Sequence, residues 1–417
     1  MRNTRFPESG RSWAEIRDEM LRERDGDLEW ATRKSFKPAY YAGDELVAIA
    51  NEAYQLYITD NALYAHSAFP SLARYERDVM AMLHEMLNAP VDAGGALTTG
   101  GTESNFMAVK TARDWARSTK PQISSPNMVV PRTAHPSFDK AAGMLGIEVR
   151  RAAGSIEFKA DVEAMAALVD DDTMMIVASA PPYPYGETDP VQAISGVAKE
   201  ADLWLHVDGC LGGFILPFAR EFDDSIPDFD FTIDAVSSMS ADLHKYGYAA
   251  KGISALVLRD AELEQYQHVS FDDWPSGLYS TPGVAGSRSG GALASAWAVM
   301  NHLGWQGYRE IVRAHLDIRT QFIDTIEAAK GFYVVAQPHA YNFAFASTEV
   351  DMFAVADGLG ERGWTLARSN EPASVQLMIN RIHEDVAEEF AADLGAVAEA
   401  VRTGQIVASD SPAIYAT

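Results

Sequence analysis

The sequence predicts an α/β protein whose core is a mostly parallel β-sheet. From about residue 88 to residue 304, short apolar segments typical of buried strands alternate with longer segments typical of amphipathic helices. The predicted strands are 128–130, 174–178, 203–207, 235–238 and 254–258, and the predicted helices are 103–118, 137–145, 161–169 and 190–200. Such alternation implies crossover connections, which give parallel strands covered by helices on both faces.

The two ends of the chain differ from this central pattern. The first 50 residues are polar, with helical stretches at 11–23 and 43–57. After Gly304 longer helices are predicted at 307–329, 351–362 and 384–402, around strands near 332–335, 343–346 and 374–379. We therefore expect an N-terminal helical segment (1–58), a large α/β domain (59–304) and a small C-terminal α+β domain (305–417).

Composition restricts the classes of partner. The formal net charge of −25 over 417 residues argues against nucleic acid and against adhesion to anionic lipid, because both would be repelled. Cys210 is the single cysteine, so neither an intramolecular disulfide nor a cysteine metal cluster can form, and no metal site is expected. No secretory signal and no apolar run long enough to span a bilayer is present. We expect a soluble, cytoplasmic protein.

A glycine-rich run, Thr-Gly-Gly-Thr-Glu-Ser-Asn at 99–105, precedes the helix predicted at 103–118. Gly100 and Gly101 let the backbone approach a ligand closely, and a helix N-terminus attracts phosphate by about 0.3–2 kcal/mol through its dipole. Taken alone, the run is more simply explained as an N-cap formed by Thr102 or Ser104. It is neither a dinucleotide-binding fingerprint nor a Walker loop.

A second motif, Trp-Leu-His-Val-Asp-Gly-Cys at 204–210, is a strand that runs into a turn. Period-two alternation places His206 and Asp208 on one face at the carboxyl end of the strand. A carboxylate there favours the protonated form of a cofactor ring nitrogen. A strand-end Asp that caps a turn is the plain alternative, and a His/Asp metal pair lacks an obvious third ligand.

A third motif, Ser-Ala-Asp-Leu-His-Lys-Tyr-Gly-Tyr, occupies 240–248 and follows the strand predicted at 235–238. Most lysines lie on solvated surface, but Lys245 stands between His244 and Tyr246 at the end of a buried strand. A desolvated lysine becomes a nucleophile toward an aldehyde. The motif therefore indicates a candidate Schiff-base lysine.

Weaker candidates follow other strands. His135 could stack on an aromatic ring or simply cap a helix before Pro136. Tyr183 lies in a proline-rich loop, where plain aromatic packing is the alternative. The run Ala-Gly-Ser-Arg-Ser-Gly-Gly at 285–291 precedes a helix and could bind an anion.

Together and in this order, these motifs resemble the sphingosine-1-phosphate lyase branch of the pyridoxal-phosphate (PLP)-dependent group II decarboxylase family. The likeness covers roughly residues 40–310 strongly and the C-terminal region loosely. It implies a fold type I architecture, with a mostly parallel seven-stranded sheet in the large domain, and PLP as cofactor. It also implies a homodimer with shared active sites.

The resemblance also implies roles for individual residues. Lys245 should hold PLP as a Schiff base, Asp208 should bind its ring nitrogen and His135 should stack on its ring. Further cofactor contacts are implied for Gly101, Thr102, His206, Asp242, His244 and, from the neighbouring subunit, Ser287. Substrate contacts are implied for Tyr183, Lys251, Asn61, Tyr64, His66 and Arg288. The C-terminal Ala413-Ile414-Tyr415 resembles the family's tail that approaches the site.

The implied reaction is retro-aldol cleavage of a phosphorylated long-chain 2-amino-3-hydroxy base, giving a fatty aldehyde and phosphoethanolamine. Tyr183, Lys245 and a phosphate group all remain candidates for the base. The alternative is an amino-acid α-decarboxylase, for which Arg288 could bind the substrate carboxylate. A non-catalytic PLP-binding homologue is a further alternative, which the presence of Lys245, Asp208 and His135 disfavours.

Overall fold

The computed structural model describes residues 5–36, 39–155, 157–409 and 412–414. Its helices are α1 Trp13–Arg24, α2 Asp44–Leu56, α3 Pro70–Met86, α4 Gly101–Thr119, α5 Ser137–Leu145, α6 Val162–Ala166, α7 Val191–Glu200, α8 Leu216–Ala219, α9 Glu264–Gln267, α10 Gly291–Ala328, α11 Met352–Glu361 and α12 Ala387–Arg402. Its strands are β1 Gly94–Thr98, β2 Asn127–Val130, β3 Glu148–Arg151, β4 Thr173–Ser179, β5 Trp204–Asp208, β6 Val236–Ala241, β7 Ser254–Leu258, β8 Val269–Phe271, β9 Tyr279–Thr281, β10 Phe332–Val334, β11 Asn342–Ser347, β12 Ala367–Asn370 and β13 Ala373–Met378.

The first seven strands form the central sheet of the described chain, in the order β1-β7-β6-β5-β4-β2-β3. Strand β7 runs antiparallel to both of its neighbours, β1 and β6, whereas the pairs from β6 to β3 are parallel. The prediction of a mostly parallel, seven-stranded sheet is confirmed.

Helices cover both faces of this sheet, so its central strands are buried on both sides. All residues of β4 and β5 are buried, as expected of strands enclosed on both sides. On one face, Met107 of α4 and Phe138 of α5 pack with Val177 of β4 in one apolar cluster. On the other face, Ile194 of α7 packs with Leu205 of β5 in a second, larger cluster.

Some helices and strands differ from the sequence prediction. Helix α3 and strand β1 were not predicted, although Pro70 at the first helical position is a helix-start signal. Strand β1 begins with Gly94 and Gly95, and glycine is depleted in strands, so its sequence carries little strand signal. The helix predicted at 161–169 is shorter, since α6 ends at Ala166.

Helix α10 starts sixteen residues before the helix predicted at 307–329, and non-helical backbone at Gly304 (φ 55°, ψ −173°) divides it. Beyond it, an antiparallel sheet of order β10-β11-β13-β12 packs with α11 and α12. We retain the division into 1–58, 59–304 and 305–417 as a proposal, which the break at Gly304 supports. Among the described residues, no helix combines the length and the apolar composition needed to cross a bilayer.

The parallel strands end together at one edge of the sheet. Ser179 at the end of β4 pairs with Asp208 at the end of β5, and Asp208 pairs with Ser240 of β6. Because ligands bind at the carboxyl ends of strands in open α/β sheets, this edge is where a site is expected.

Candidate active site

A cavity of about 370 Å³ lies at this edge of the sheet. The loops after β1, β2, β4, β5 and β6 enclose it. The predicted residues that line it are Gly101, Thr102, His135, Tyr183, Asp208, Asp242, His244 and Lys245. Residues from five separate loops therefore converge on one space, although up to 144 positions separate them in the chain.

Lys245 lies in the loop after β6, where its ammonium group is 2.9 Å from Oδ2 of Asp242. Burial lowers the pKa of Lys245, but the attraction of Asp242 outweighs burial and leaves that pKa well above its ordinary value. Asp242 is itself buried, and neither of its oxygens receives a well-aligned hydrogen bond from the described residues. The carboxylate therefore stabilises the lysine as a cation while no ligand is bound.

Asp208 ends β5 as a buried carboxylate held by directed donors. Its Oδ1 accepts from the Cys210 backbone N–H at 3.0 Å and from the Ser240 hydroxyl at 3.3 Å. Its Oδ2 accepts from the Asn105 amide at 3.0 Å. Burial raises the pKa of Asp208, but nearby His135, the hydrogen bonds from Cys210 and nearby His206 outweigh burial, so the net pKa is lowered. The group is thus kept ionised inside the protein.

Asn105 is a site residue to which the sequence analysis gave no role. It lies on the first turns of α4 and is buried. Its Nδ2 donates to Asp208 and to the Ser137 hydroxyl, each at 3.0 Å, and its Oδ1 lies 3.4 Å from Nε2 of His206. Its position four residues after Gly101, on one helical face, was the available signal.

The two predicted histidines His135 and His206 occupy different positions. His135 lines the cavity, with Nδ1 2.9 Å from the Ser137 hydroxyl, and burial lowers its pKa. His206 is not among the residues that line the cavity. It is fully buried behind Asp208, with Nδ1 2.8 Å from the Ser238 hydroxyl, and burial lowers its pKa to about 4. His206 thus supports the site through Asn105.

The start of α4 forms a close-fitting backbone cradle. A Cβ added to Gly101 would lie 2.7 Å from both Asp242 Oδ2 and Cys210 Sγ, and one added to Gly100 would lie 3.3 Å from the His244 ring. Residues 101 and 102 are the first of the helix, where backbone N–H groups lack intrahelical acceptors. The cradle therefore offers backbone N–H donors to an anion, and its position 101 requires glycine.

Comparison with known proteins gives this arrangement a family. The model of the pyridoxal-dependent decarboxylase conserved domain matches residues 1–348. A sphingosine-1-phosphate lyase of Oryza sativa subsp. japonica is 39% identical over 94% of this chain and 73% of its own. The chain belongs to the pyridoxal-dependent decarboxylase family. Within it, the chain is a sphingosine-1-phosphate lyase-like member, a PLP enzyme and a lyase.

Solved structures agree with this family assignment. A sphingosine-1-phosphate lyase from Burkholderia pseudomallei superposes with a TM-score of 0.90 at 36% identity, covering 96% of this chain and 94% of that one. A glutamate decarboxylase from Lactobacillus brevis, at 20% identity, covers 98% of this chain and 97% of its own with a TM-score of 0.83. The second likeness shows the fold alone, and the fold type I prediction is confirmed.

The residues at the cavity fit PLP. The cradle at Gly101 suits its phosphate, the ionised Asp208 suits its protonated ring nitrogen, and Lys245 is the amine within the cavity. The buried Asp242 oxygens, which lack well-aligned donors among the described residues, mark a space built to receive a further polar group.

A second cavity of about 980 Å³ adjoins the first, and Tyr183, His135 and Lys245 line both. Its wall combines aromatic and apolar side chains with polar and charged ones. The first set includes Tyr40, Ala134, Pro136, Phe158, Tyr185, Pro372 and Ile414, and the second includes Arg132, Arg368, Ser369, Asn370 and Glu371. The rings of Phe158 and Tyr185 pack at 5.2 Å. Of the predicted C-terminal tail, Ala413 and Ile414 reach this cavity, while Tyr415 lies outside the described residues.

Lys251 lies beside the first cavity and lines a smaller one of about 180 Å³. Its ammonium donates to the His244 carbonyl at 2.9 Å and sits 4.1 Å from the centre of the Tyr40 ring. Desolvation and then repulsion by Lys245 lower the pKa of Lys251 to about 8. It therefore remains largely a cation at neutral pH.

The remaining predicted residues are not brought to the PLP cavity within one chain. Asn61 donates to the Ser287 hydroxyl at 2.9 Å and accepts from the Arg288 backbone N–H at 3.3 Å. Tyr64 is 52% exposed. The ring of His66 is also exposed, with Nε2 3.5 Å from Glu76. Asn61, Ser287 and Arg288 thus form a surface group outside the PLP cavity, in which Arg288 also lines the small cavity beside Lys251.

Proposed function

We propose that this enzyme cleaves the C2–C3 bond of a phosphorylated long-chain 2-amino-3-hydroxy base of the sphingosine-1-phosphate type. The 3-hydroxyl loses its proton, C3 leaves as the carbon of a fatty aldehyde, and C2 gains a proton. The second product is phosphoethanolamine. PLP, when bound, supplies the electron sink that accepts the electrons of the broken bond.

We assign the cofactor contacts from the geometry of the first cavity. Lys245 would attach the cofactor covalently, Asp208 would hold the proton on its ring nitrogen, and His135 would pack on its ring. Gly101, Thr102 and His244 would bind its phosphate, while Asp242 and His206 would hold the surrounding groups in place. The ionised state of Asp208 and the exposed helix N–H groups of α4 support these roles.

The observation that supports a long-chain substrate is the junction of the two cavities. The larger cavity has the volume for a hydrocarbon chain and offers it aromatic and apolar surface beside its polar and charged lining. It meets the reacting centre at Tyr183, His135 and Lys245. A small amino acid needs no such volume. Tyr183 and Lys245 both line the junction of the two cavities, so either could accept the 3-hydroxyl proton. A large fall in kcat in Tyr183→Phe would assign the base to Tyr183, and a kcat near the wild-type value would assign it to Lys245.

We assign Lys251 to the substrate phosphate. Its ammonium should interact with a phosphate through a charge-assisted hydrogen bond of about 1.5–3 kcal/mol, so Lys251→Met should raise KM by about 10–100-fold. Lys251→Arg, which keeps the charge, is the control. Because the pKa of Lys251 is about 8, kcat/KM should fall as the pH rises through that value. An unchanged KM in Lys251→Met would remove this assignment.

The deciding assay measures both possible products. Purified enzyme loaded with PLP is given sphinganine phosphate or single amino acids, and aldehyde and CO2 are quantified. We expect aldehyde from the phosphorylated base and no CO2, with neither product in Lys245→Ala. CO2 from amino acids without aldehyde would instead establish the α-decarboxylase.

We further propose a homodimer in which the surface group around Asn61, Ser287 and Arg288 completes the partner's site. The exposure of Ser287 in the single chain and the hydrogen bonds that join the three residues support this. Light scattering should give twice the chain mass. Mixed dimers of Lys245→Ala and Arg288→Ala subunits should regain activity, because one of the two sites combines intact halves. Monomers in solution would contradict it.

We also propose that the protein acts as a soluble enzyme in the cytoplasm. The single cysteine and the net charge of −25 support this location. Fractionation of cells that produce the protein should place it in the supernatant after ultracentrifugation. Recovery in the membrane pellet would contradict it.

A further inference from the structure

Glu103 connects two segments that are distant in sequence. Its Oε2 accepts from the Thr99 backbone N–H at 2.7 Å and from the Thr99 hydroxyl at 2.5 Å. Its Oε1 accepts from the backbone N–H groups of Val284 at 2.7 Å and Ala285 at 3.0 Å. One side chain thus holds the residue before the glycine cradle and a segment 181 positions further along the chain.

This pattern exceeds ordinary helix capping. In a capping box the third helical residue reaches back to the N-cap residue and no further. Glu103 is the third residue of α4, but it bonds Thr99, which precedes the N-cap Gly100, and it also bonds the second segment. Burial raises the pKa of Glu103, yet these hydrogen bonds outweigh burial and lower it, so the side chain remains a carboxylate.

The second segment fits closely against Glu103. A Cβ added to Gly283 would lie 3.0 Å from Oε1. Thr99, Glu103, Ala285 and Arg288 line one narrow crevice between the two segments. The segment continues into Ser287 and Arg288, which belong to the surface group described above.

We propose that Glu103 is a positioning residue that fixes the cofactor-phosphate cradle to the segment 282–288. Glu103 lines the edge of the first cavity, but both of its carboxylate oxygens are engaged by Thr99, Val284 and Ala285, so it acts through these neighbours. Through Thr99 it sets where Gly100 and Gly101 lie, and through Val284 and Ala285 it sets where Ser287 and Arg288 lie. The inference rests on the placement of the cofactor phosphate at the cradle and is independent of which substrate is cleaved.

The test is Glu103→Gln in the full-length protein. A glutamine can offer its oxygen to only one of the two sets of N–H donors, because its NH2 group must face the other. PLP titration of the cofactor-free protein should give a Kd raised about 10-fold, which corresponds to about 1.4 kcal/mol and to the low end for a hydrogen bond to a charged group. The set that keeps the oxygen then bonds an uncharged and weaker acceptor. Hydrogen exchange should therefore rise in both 99–102 and 282–288, and most in the segment that faces the NH2 group.

Lys110→Met is the matched control. Lys110 lies on α4, as Glu103 does, but it holds residues 266–268, which precede the segment 282–288 in the chain. Its ammonium donates to the carbonyls of Tyr266, Gln267 and His268 at 2.7, 3.0 and 3.1 Å. Exchange should rise near 266–268 while the Kd for PLP stays at the wild-type value. Should Glu103→Gln not fold, Gly283→Ala, which presses on an intact Glu103, should raise the Kd in the same direction.

Two results would overturn the inference. One is a wild-type Kd and unchanged exchange at 99–102 in Glu103→Gln or, if that variant does not fold, in Gly283→Ala. The other is an equal rise in Kd in Lys110→Met, which would attribute the effect to general loosening. Because PLP binding is read without substrate, a wrong substrate assignment leaves this test intact. A wild-type protein that fails to bind PLP would instead refute the proposed cofactor placement.

Discussion

Replacing Asn105 with leucine tests how the carboxylate of Asp208 is held. Leucine is similar in size to asparagine but donates no hydrogen bond. In the wild type, the Asn105 amide donates to Oδ2 of Asp208 at 3.0 Å, whereas Oδ1 has separate donors in Cys210 and Ser240. The substitution therefore removes the amide donor to one oxygen of a buried carboxylate.

The magnitude follows from the charge of the acceptor. A hydrogen bond to a charged group contributes about 1.5–3 kcal/mol, so the cofactor-free variant should lose at least about that much free energy of unfolding at pH 7. The lost contacts of Asn105 with the Ser137 hydroxyl and with His206 add to this loss. If the loss falls on the ionised form alone, the pKa of Asp208 also rises, because burial then acts on the carboxylate with one donor fewer. Urea unfolding of the cofactor-free protein measures the first quantity.

Ser240→Ala is the matched control for Asn105→Leu. The Ser240 hydroxyl donates to Oδ1 at 3.3 Å, and that oxygen keeps the Cys210 backbone N–H at 3.0 Å. Because this bond is longer and Oδ1 keeps its backbone donor, we expect a smaller loss, at or below about 1.5 kcal/mol, the low end for a hydrogen bond to a charged group. A loss in Asn105→Leu that is no larger than in Ser240→Ala would refute the reasoning.

Two further predictions concern stability. The pKa values of His206, His315 and His383 are lowered by burial to about 4, 3 and 4, so the stability that their neutral forms contribute is present above about pH 6.5 and is lost as the pH falls toward 4. Urea unfolding should give a free energy of unfolding that is lower at pH 5 than at pH 7 by about 1–2 kcal/mol for each of these histidines. In His315→Phe this difference between the two pH values should be smaller by the contribution of one histidine. A difference equal to that of the wild type would contradict the prediction. Gly101→Ala should cost about 1–3 kcal/mol by overpacking and weaken PLP binding, because its Cβ would meet Asp242 and Cys210 at 2.7 Å. Gly143→Ala in α5, with nothing within 4 Å of its Cβ, is the control, and equal PLP affinities in the two variants would count against the cradle.

The features that could be predicted from the sequence are those set by local pattern. The apolar runs within β4 and β5 predict buried parallel strands. Residues at or shortly after the ends of such strands, such as Asp208 and Lys245, meet at one edge of the sheet because parallel strands end together. The glycines before α4 signalled a close backbone approach for the same local reason.

Long-range contacts could not be predicted in this way. The amide of Asn105 reaches Asp208 across 103 positions, and Glu103 reaches Val284 across 181. Asn105 and Glu103 both lie within the glycine-rich run at 99–105, but the sequence gives no indication of which distant group each side chain contacts. For His206 the local pattern was right but the contact with the cavity was not. Its alternation with Asp208 predicted that both side chains lie on one face of β5, but His206 is buried against Asn105 and does not line the cavity.

The central claim is that Lys245 carries the cofactor. Borohydride reduction of the PLP-loaded protein, followed by proteolysis and mass spectrometry, tests it most directly. We expect a reduced pyridoxyl phosphate adduct on the peptide that contains Lys245, and none anywhere in Lys245→Ala. An adduct confined to another lysine, or no adduct in a protein saturated with PLP, would contradict the account.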